Sequence, residues 1–195
     1  MLTVENTKRW LSLFSEKITA NKDYLNELDD DLGDGDHGDN LERGTQALKA
    51  KIESEGYEDL SSLFKEAGMT LVNEIGGASG PLYGSAFLEM AKAAEDSSEP
   101  AVLLSAGLEG IKKRGKGEPG EKTMVDIWSP AVDAAEDGSL SKDVIDKALD
   151  NIKEMEATKG DASHFKKRSI GHMDPGAQSS AYLFSALIEA GVSDE

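Results

Sequence analysis

Apolar residues recur along this chain every three or four positions. Val4, Leu11, Phe14 and Ile18 share one helical face, and Leu60, Leu63, Phe64, Ala67, Leu71 and Ile75 share another. A third stripe is Ala101, Leu104, Leu108 and Ile111, and a fourth is Val144, Ile145, Ala148, Leu149, Ile152 and Met155. The tail from Ala177 to Ala190 carries Ala181, Phe184, Leu187 and Ile188. Segments 81–94 and 124–136, rich in Ala, Leu and Met, read as helices buried on more than one side. Alternating β-branched residues never persist beyond a few positions, so no sheet is expected. Start signals agree: Ser79-Gly80-Pro81 and Asp174-Pro175-Gly176 each open a helix, while Thr123 and Ser141 stand where they can cap the next ones. About eight helices with short connections follow, an all-α bundle or barrel, with residues 1–195 as one domain.

Composition changes this picture only through charge and cysteine. The fractions of hydrophobic (38%) and charged (30%) residues are ordinary, and 195 residues suffice for a sizeable core. Lys and Arg total 21 against 38 Asp and Glu, a net charge of −17. Such a field repels nucleic acid and anionic membranes, which argues against both as partners and favours bound cations. The absence of cysteine excludes disulfides, thiolate catalysis and Cys-ligated zinc or iron–sulfur clusters. The N-terminus lacks a basic region followed by an apolar run, and no stretch is long enough to span a bilayer, so a cytoplasmic protein is expected.

Four connections hold more glycine than a helix-to-helix link needs: GDGDHGDN (33–40), GGASGPLYG (76–84), RGKGEPGEKT (114–123) and RSIGHMDPG (168–176). Each feeds a helix start, where unpaired N–H groups and the helix dipole favour an anion such as phosphate. Glycine also simply terminates helices; four such loops together favour a shared anionic ligand. The first loop repels phosphate unless a cation intervenes. Asp29, Asp34 and Asp36 are spaced so that a helix end and a tight glycine turn bring them together, and hard oxygen ligands of this kind suit Mg²⁺. A calcium EF-hand does not fit, because a loop starting at Asp34 places Asp39 at the glycine position and Thr45 at the bidentate Glu position. A solvated acidic turn accounts for Asp30, Asp31 and Asp39.

Residues 115–120 match G-x-G-x-x-G, but they follow a helix rather than a strand, and Lys122-Thr123 fall one residue out of register for a Walker A loop. Of the three histidines, His37 has the strongest claim to the site; His172 lies in a glycine-containing loop, and His164 reads as surface. Arg168 can neutralise phosphate charge with a two-pronged contact. No Ser-His-Asp set is present, so no protein nucleophile is expected. The residues alone describe an α-helical protein that binds a Mg-nucleotide or similar phosphate ester.

The blocks LDDDLGDGDHGDN, GGASGPLYGSAF, RGKGEPGEKTMVDIW and RSIGHMDPGAQSSA, in this order over essentially the whole chain, closely resemble the nucleotide-binding L subunits of phosphoenolpyruvate-dependent dihydroxyacetone kinases. The resemblance implies an eight-helix antiparallel up-and-down barrel with ADP and two Mg²⁺ at one end. It implies Asp29, Asp34 and Asp36 as metal ligands. His37, Gly38, Asp39, Asn40, Ala78, Ser79, Gly115, Met124, Arg168, Asp174, Pro175 and Gly176 are implied around the nucleotide. At position 39 family members often carry a small neutral residue, which points to the backbone of Asp39 rather than its carboxylate. The resemblance further implies that ADP stays bound as a cofactor. A phosphohistidine on a phosphotransferase-system subunit phosphorylates it, and the phosphoryl group passes to dihydroxyacetone held on another subunit. Two alternatives remain at this point: a related kinase that exchanges ATP freely or serves another small substrate, and an ADP-loaded interaction protein, for instance one contacting a transcriptional regulator.

Overall fold

Each apolar stripe named above falls on a helix in the computed structural model, which describes residues 1–192, with only Ile75 and Met155 just past a helix end. In chain order the helices are α1 (Val4–Ala20), α2 (Lys22–Leu32), α3 (His37–Ser54), α4 (Leu60–Glu74), α5 (Ser79–Ala93), α6 (Pro100–Gly115), α7 (Val125–Glu136), α8 (Lys142–Lys153) and α9 (Pro175–Glu189). A 3₁₀ segment, Asp161–Ser169, precedes α9, and no strand occurs among the described residues. The start signals act unevenly. Asp174 caps α9 by accepting from the N–H of Ala177 at 2.8 Å. Thr123 accepts from Val125 at 3.2 Å while Met124 takes the cap position of α7, and Ser141 precedes α8 without a side-chain capping bond. At the other end of the chain, Thr3 and Asn6 exchange reciprocal bonds that close the first turn of α1.

Among the described residues, the nine helices make eight staves. α1 and α2 are separated by Asn21 alone, whose N–H is shared between the carbonyls of Lys17 and Ile18 at 3.2 and 3.1 Å. Both pack on the same two neighbours, α3 and α9, so they form one stave broken at its middle. From α3 onward each helix packs on the next, and α9 returns to α1, closing the ring. The connections, short except for the 154–174 link between α8 and α9, send each stave back along its predecessor. Consequently the α2–α3, α4–α5, α6–α7 and α8–α9 connections all emerge at the same end, and these are the four glycine-rich loops. The expected barrel is therefore also the device that gathers the loops.

Aromatic side chains fill the interior. Trp10, Phe14, Phe64, Tyr83, Phe87 and Trp128 are fully buried, and the Trp10 indole N–H, which burial would otherwise orphan, donates to the carbonyl of Leu183 at 2.8 Å. One apolar cluster runs from Leu2 to Val192. Ala157 and Ala162, with Phe165 against them, form a separate small cluster within the α8–α9 connection. Among the described residues, no helix is long and apolar enough to cross a membrane.

Candidate functional site

The acidic loop is organised by one of its own carboxylates. Asp29, in the last turns of α2, accepts from the backbone N–H of Asp36 at 2.9 Å and of His37 at 3.1 Å, folding the loop back over the helix end. Glycine is required on this path. A Cβ on Gly33 would collide with the Asp29 carboxylate, and Gly35 sits at φ +77°. Asp29, Asp34 and Asp36 then each place a carboxylate oxygen within 4.8 Å of the others. Burial, with Asp34 alongside, raises the Asp29 carboxyl above the usual range despite its two backbone donors. Three converging carboxylates repel one another until a cation joins them, and an all-oxygen donor set of this kind fits Mg²⁺.

Helix starts surround this cluster. A cavity of about 250 Å³ is lined by the three aspartates and by the first residues of α3 (His37, Asn40), α5 (Ala78, Ser79) and α9 (Asp174, Pro175, Gly176). Thr123 and Met124 from the start of α7, and Gly76 and Gly77 from the loop before α5, complete that wall. Four positive dipole ends thus face one space, and neither Asp36 nor Ala78 spends a side chain on capping its helix. A second cavity of about 380 Å³ adjoins it, sharing Ala78, Leu82 and Met124 and adding Pro81, Ile111, Gly115 and Val125. One end of the site is acidic, the middle is built of N–H donors, and the far end is apolar. Two surface clefts of about 530 and 600 Å³ are larger, yet they lie between helices away from these loops.

His37 is buried and bridges two hydroxyls: its Nε2 lies 2.9 Å from Ser179 Oγ and its Nδ1 3.2 Å from Ser79 Oγ. Burial depresses its pKa to about 4, so the imidazole is neutral near pH 7. Ser179 continues to the Tyr83 hydroxyl at 2.7 Å, Tyr83 to Ser180 at 2.9 Å, and Ser180 to the Trp128 indole at 3.2 Å. This polar thread runs from the cavity wall into the core and locks the His37 ring. Asp174 is raised to about 6, first by burial and then by the negative charges of Asp126 and Asp29, against the pull of Lys122.

Three expected residues do not line either cavity. Gly38 is buried where α3 crosses α2, and a Cβ there would strike the Lys22 carbonyl. Asp39 turns outward: its N–H donates to Asn26 Oδ1 at 3.1 Å and its carboxylate lies 3.8 Å from Lys22 Nζ. Arg168 is exposed and stacks over the Phe165 ring at 5.6 Å. His172 is also exposed, 3.5 Å from the Asp31 carboxylate. Conversely, Lys159, Gly160, Asp161 and Ala162 line the cavity, in a stretch where the sequence drew a reading only at His164, as surface. Gly160, at φ +70° between Lys159 and Asp161, is the one local signal of a built turn there.

Comparison with known proteins agrees with this geometry. The DAK2 domain model matches residues 31–189. The chain is 51% identical to the ADP-binding subunit DhaL of a phosphotransferase-system-dependent dihydroxyacetone kinase from Lactococcus lactis, covering 97% of this chain and 98% of that one. It is 37% identical to the Escherichia coli DhaL of a phosphoenolpyruvate-dependent kinase, over 91% and 92% of the two chains. The crystal structure of the dihydroxyacetone kinase of C. freundii superposes with a TM-score of 0.77 at 26% identity, over 93% of this chain and 34% of that longer one. The chain belongs to the DAK2-domain family and, within it, groups with the DhaL subunits of dihydroxyacetone kinases.

Proposed function

We propose that this protein is the ADP-binding subunit of a multi-subunit dihydroxyacetone kinase. The observation that carries the reading is the placement of three aspartate carboxylates within 4.8 Å of one another beside four converging helix starts. Asp29, Asp34 and Asp36 hold two Mg²⁺; the N–H groups opening α3, α5 and α9 receive the diphosphate; the apolar cavity around Leu82, Met124 and Gly115 receives the base. Bound in this way, ADP·Mg²⁺ supplies a relay for a phosphoryl group between a phosphohistidine on a phosphotransferase-system subunit and dihydroxyacetone held on a third subunit.

Phosphoryl transfer demands position and charge neutralisation more than a protein nucleophile, and the residues fit that demand. Neutral His37 has one N–H and one bare ring nitrogen, so it donates to one of Ser79 and Ser179 and accepts from the other, which fixes the ring beside the cavity. Asn40 is held by Arg43, whose Nη2 donates to its side-chain oxygen at 2.9 Å while Nε donates to the Glu74 carbonyl at 2.8 Å. Residues 159–162 add to the lining of the same cavity. The DhaL relatives, matched over nearly their whole length, support the partner scheme. Purified protein is expected to retain close to one ADP per chain through dialysis in Mg²⁺. Mixed with phosphorylated donor subunit and dihydroxyacetone-loaded acceptor subunit, it is expected to form dihydroxyacetone phosphate without added ATP. Absence of nucleotide and of transfer together would remove the reading.

A further inference from the structure

Lys122 is a lysine where none is expected. It is 1% exposed and sits at φ +62°, and among the described residues no carboxylate lies within salt-bridge distance of it. Its ammonium instead donates to three backbone carbonyls: Lys153 at 3.0 Å, Met155 at 2.9 Å and Ser169 at 2.7 Å. These carbonyls lie at the C-terminal end of α8, just past it, and at the end of the 3₁₀ segment, where the dipole favours a cation; those of Lys153 and Ser169 also accept from the Gly171 N–H at 2.8 Å and the His172 N–H at 3.2 Å. Burial lowers the lysine pKa, with Asp174 and Glu154 acting in the opposite sense, and three acceptors match its three protons.

The segment it grips has little else. Residues 157–165 carry only the small cluster of Ala157, Ala162 and Phe165 in place of a share in the main core. Besides contact between the 3₁₀ segment and α2, the other fastenings are polar: the Gly171 N–H to the Lys153 carbonyl at 2.8 Å, the Thr158 N–H to the Glu121 carbonyl at 3.3 Å, the Ala157 N–H to Ser169 Oγ at 2.8 Å, and Lys159 Nζ to the Lys116 carbonyl. Lys122 therefore stands at the root of two adjoining loops that both line one cavity: its neighbours Thr123 and Met124 from one, Lys159 to Ala162 from the other. Asp126 stiffens the first loop by accepting from Gly120 at 2.6 Å and Thr123 at 2.9 Å.

We propose that Lys122 is a positioning residue whose buried ammonium ties the 153–169 segment to the α6–α7 loop and thereby sets how long the site retains its nucleotide. The retention half of this rests on the function proposed above; the tethering half does not. A buried cation's hydrogen bonds are strong enough that losing three should raise local opening at least about tenfold. In the nucleotide-free chain, Lys122→Met is expected to speed tryptic cleavage after Lys159, Lys166 and Lys167 by that factor while far-UV helicity is kept. ADP dissociation should speed up in parallel. Because the chain has no native cysteine, Lys122→Cys gives a unique thiol. Aminoethylation in denaturant followed by refolding, with wild type carried through the same cycle, rebuilds an ammonium of nearly the same reach and should restore both readouts. Should Lys122→Met fail to fold, Lys122→Gln, with a polar end and two donors, is read in the same way. Unchanged cleavage in the variants, or aminoethylation that restores neither readout, overturns the tether. Wild type that holds no ADP removes the nucleotide reading while leaving the cleavage result to decide the tether.

Discussion

A half-buried aspartate shows what the site demands of single residues. Asp174 caps α9 through the Ala177 N–H and lines the cavity, and burial pushes its carboxyl up to about 6 from an ordinary 3.8. A raised carboxyl favours the protonated form in the fold, so its stabilising effect is present below pH 4 and is lost as the pH rises through 6. Asparagine keeps the shape and caps equally well. In the absence of ligand, Asp174→Asn is therefore expected to match wild type near pH 3.5 and to exceed it by on the order of 1–3 kcal/mol at pH 7.5. Chemical denaturation at the two pH values checks this; an equal gain at both would show that the charge is irrelevant. At Asp39 the expected effect is small. Its carboxylate faces Lys22 on the surface, where an ion pair contributes about 0–1 kcal/mol, so Asp39→Ala should leave ADP retention within about twofold. A large loss on equilibrium dialysis would put that side chain back in the site.

At the scale of elements, the crossing of α2 over α3 sets the aspartate cluster, because Asp29 belongs to the first and His37, whose N–H it holds, to the second. Gly38 permits that crossing, since a Cβ there would meet the Lys22 carbonyl, a backbone atom that cannot swing aside. Gly38→Ala should separate the helices, break the bond from the His37 N–H to Asp29, and destabilise the fold by about 1–3 kcal/mol, as overpacking generally does. A drop in both thermal midpoint and Mg²⁺-dependent ADP affinity is expected; loss of affinity at full stability would instead mark Gly38 as a ligand contact. The residue was legible as special but its reason was not. The same holds more widely. Helices with apolar stripes were readable because periodicity follows burial, as in Leu60 to Ile75 and in the α9 tail. The three aspartates were readable because carboxylates alternating with glycine have no use in a simple helix cap, whereas they suit a cation. Asp39 turns its carboxylate outward, as the reading of that residue by its backbone allows, whereas Arg168 lies away from the cavity because the direction of a loop side chain depends on its neighbours, here the Phe165 ring. Lys159 to Ala162 escaped notice because a segment fastened by backbone carbonyls and a distant lysine leaves almost no local pattern.

For the whole molecule, the net charge of −17 bears on stability as well as solubility. Like charges favour expansion of the chain, and ordinary salt relieves this by screening alone. The converging aspartates add a local version of the same repulsion, which a site-bound divalent ion removes only in the native state, where the three carboxylates come together. Mg²⁺ with ADP should therefore raise the thermal midpoint beyond an ionic-strength-matched sodium control, by linkage of about 2.7 kcal/mol at a hundredfold excess over Kd. Asp34→Asn and Asp36→Asn should keep the screening part and lose the Mg²⁺-specific part, because both carboxylates are exposed and carry no capping bond whose removal would harm the helices. Scanning calorimetry on the wild type and both variants, each with chelator, sodium or Mg²⁺·ADP, separates the two contributions. Variants that keep the full Mg²⁺-specific increment would mean that the cation is held elsewhere and that the acidic loop only caps a helix.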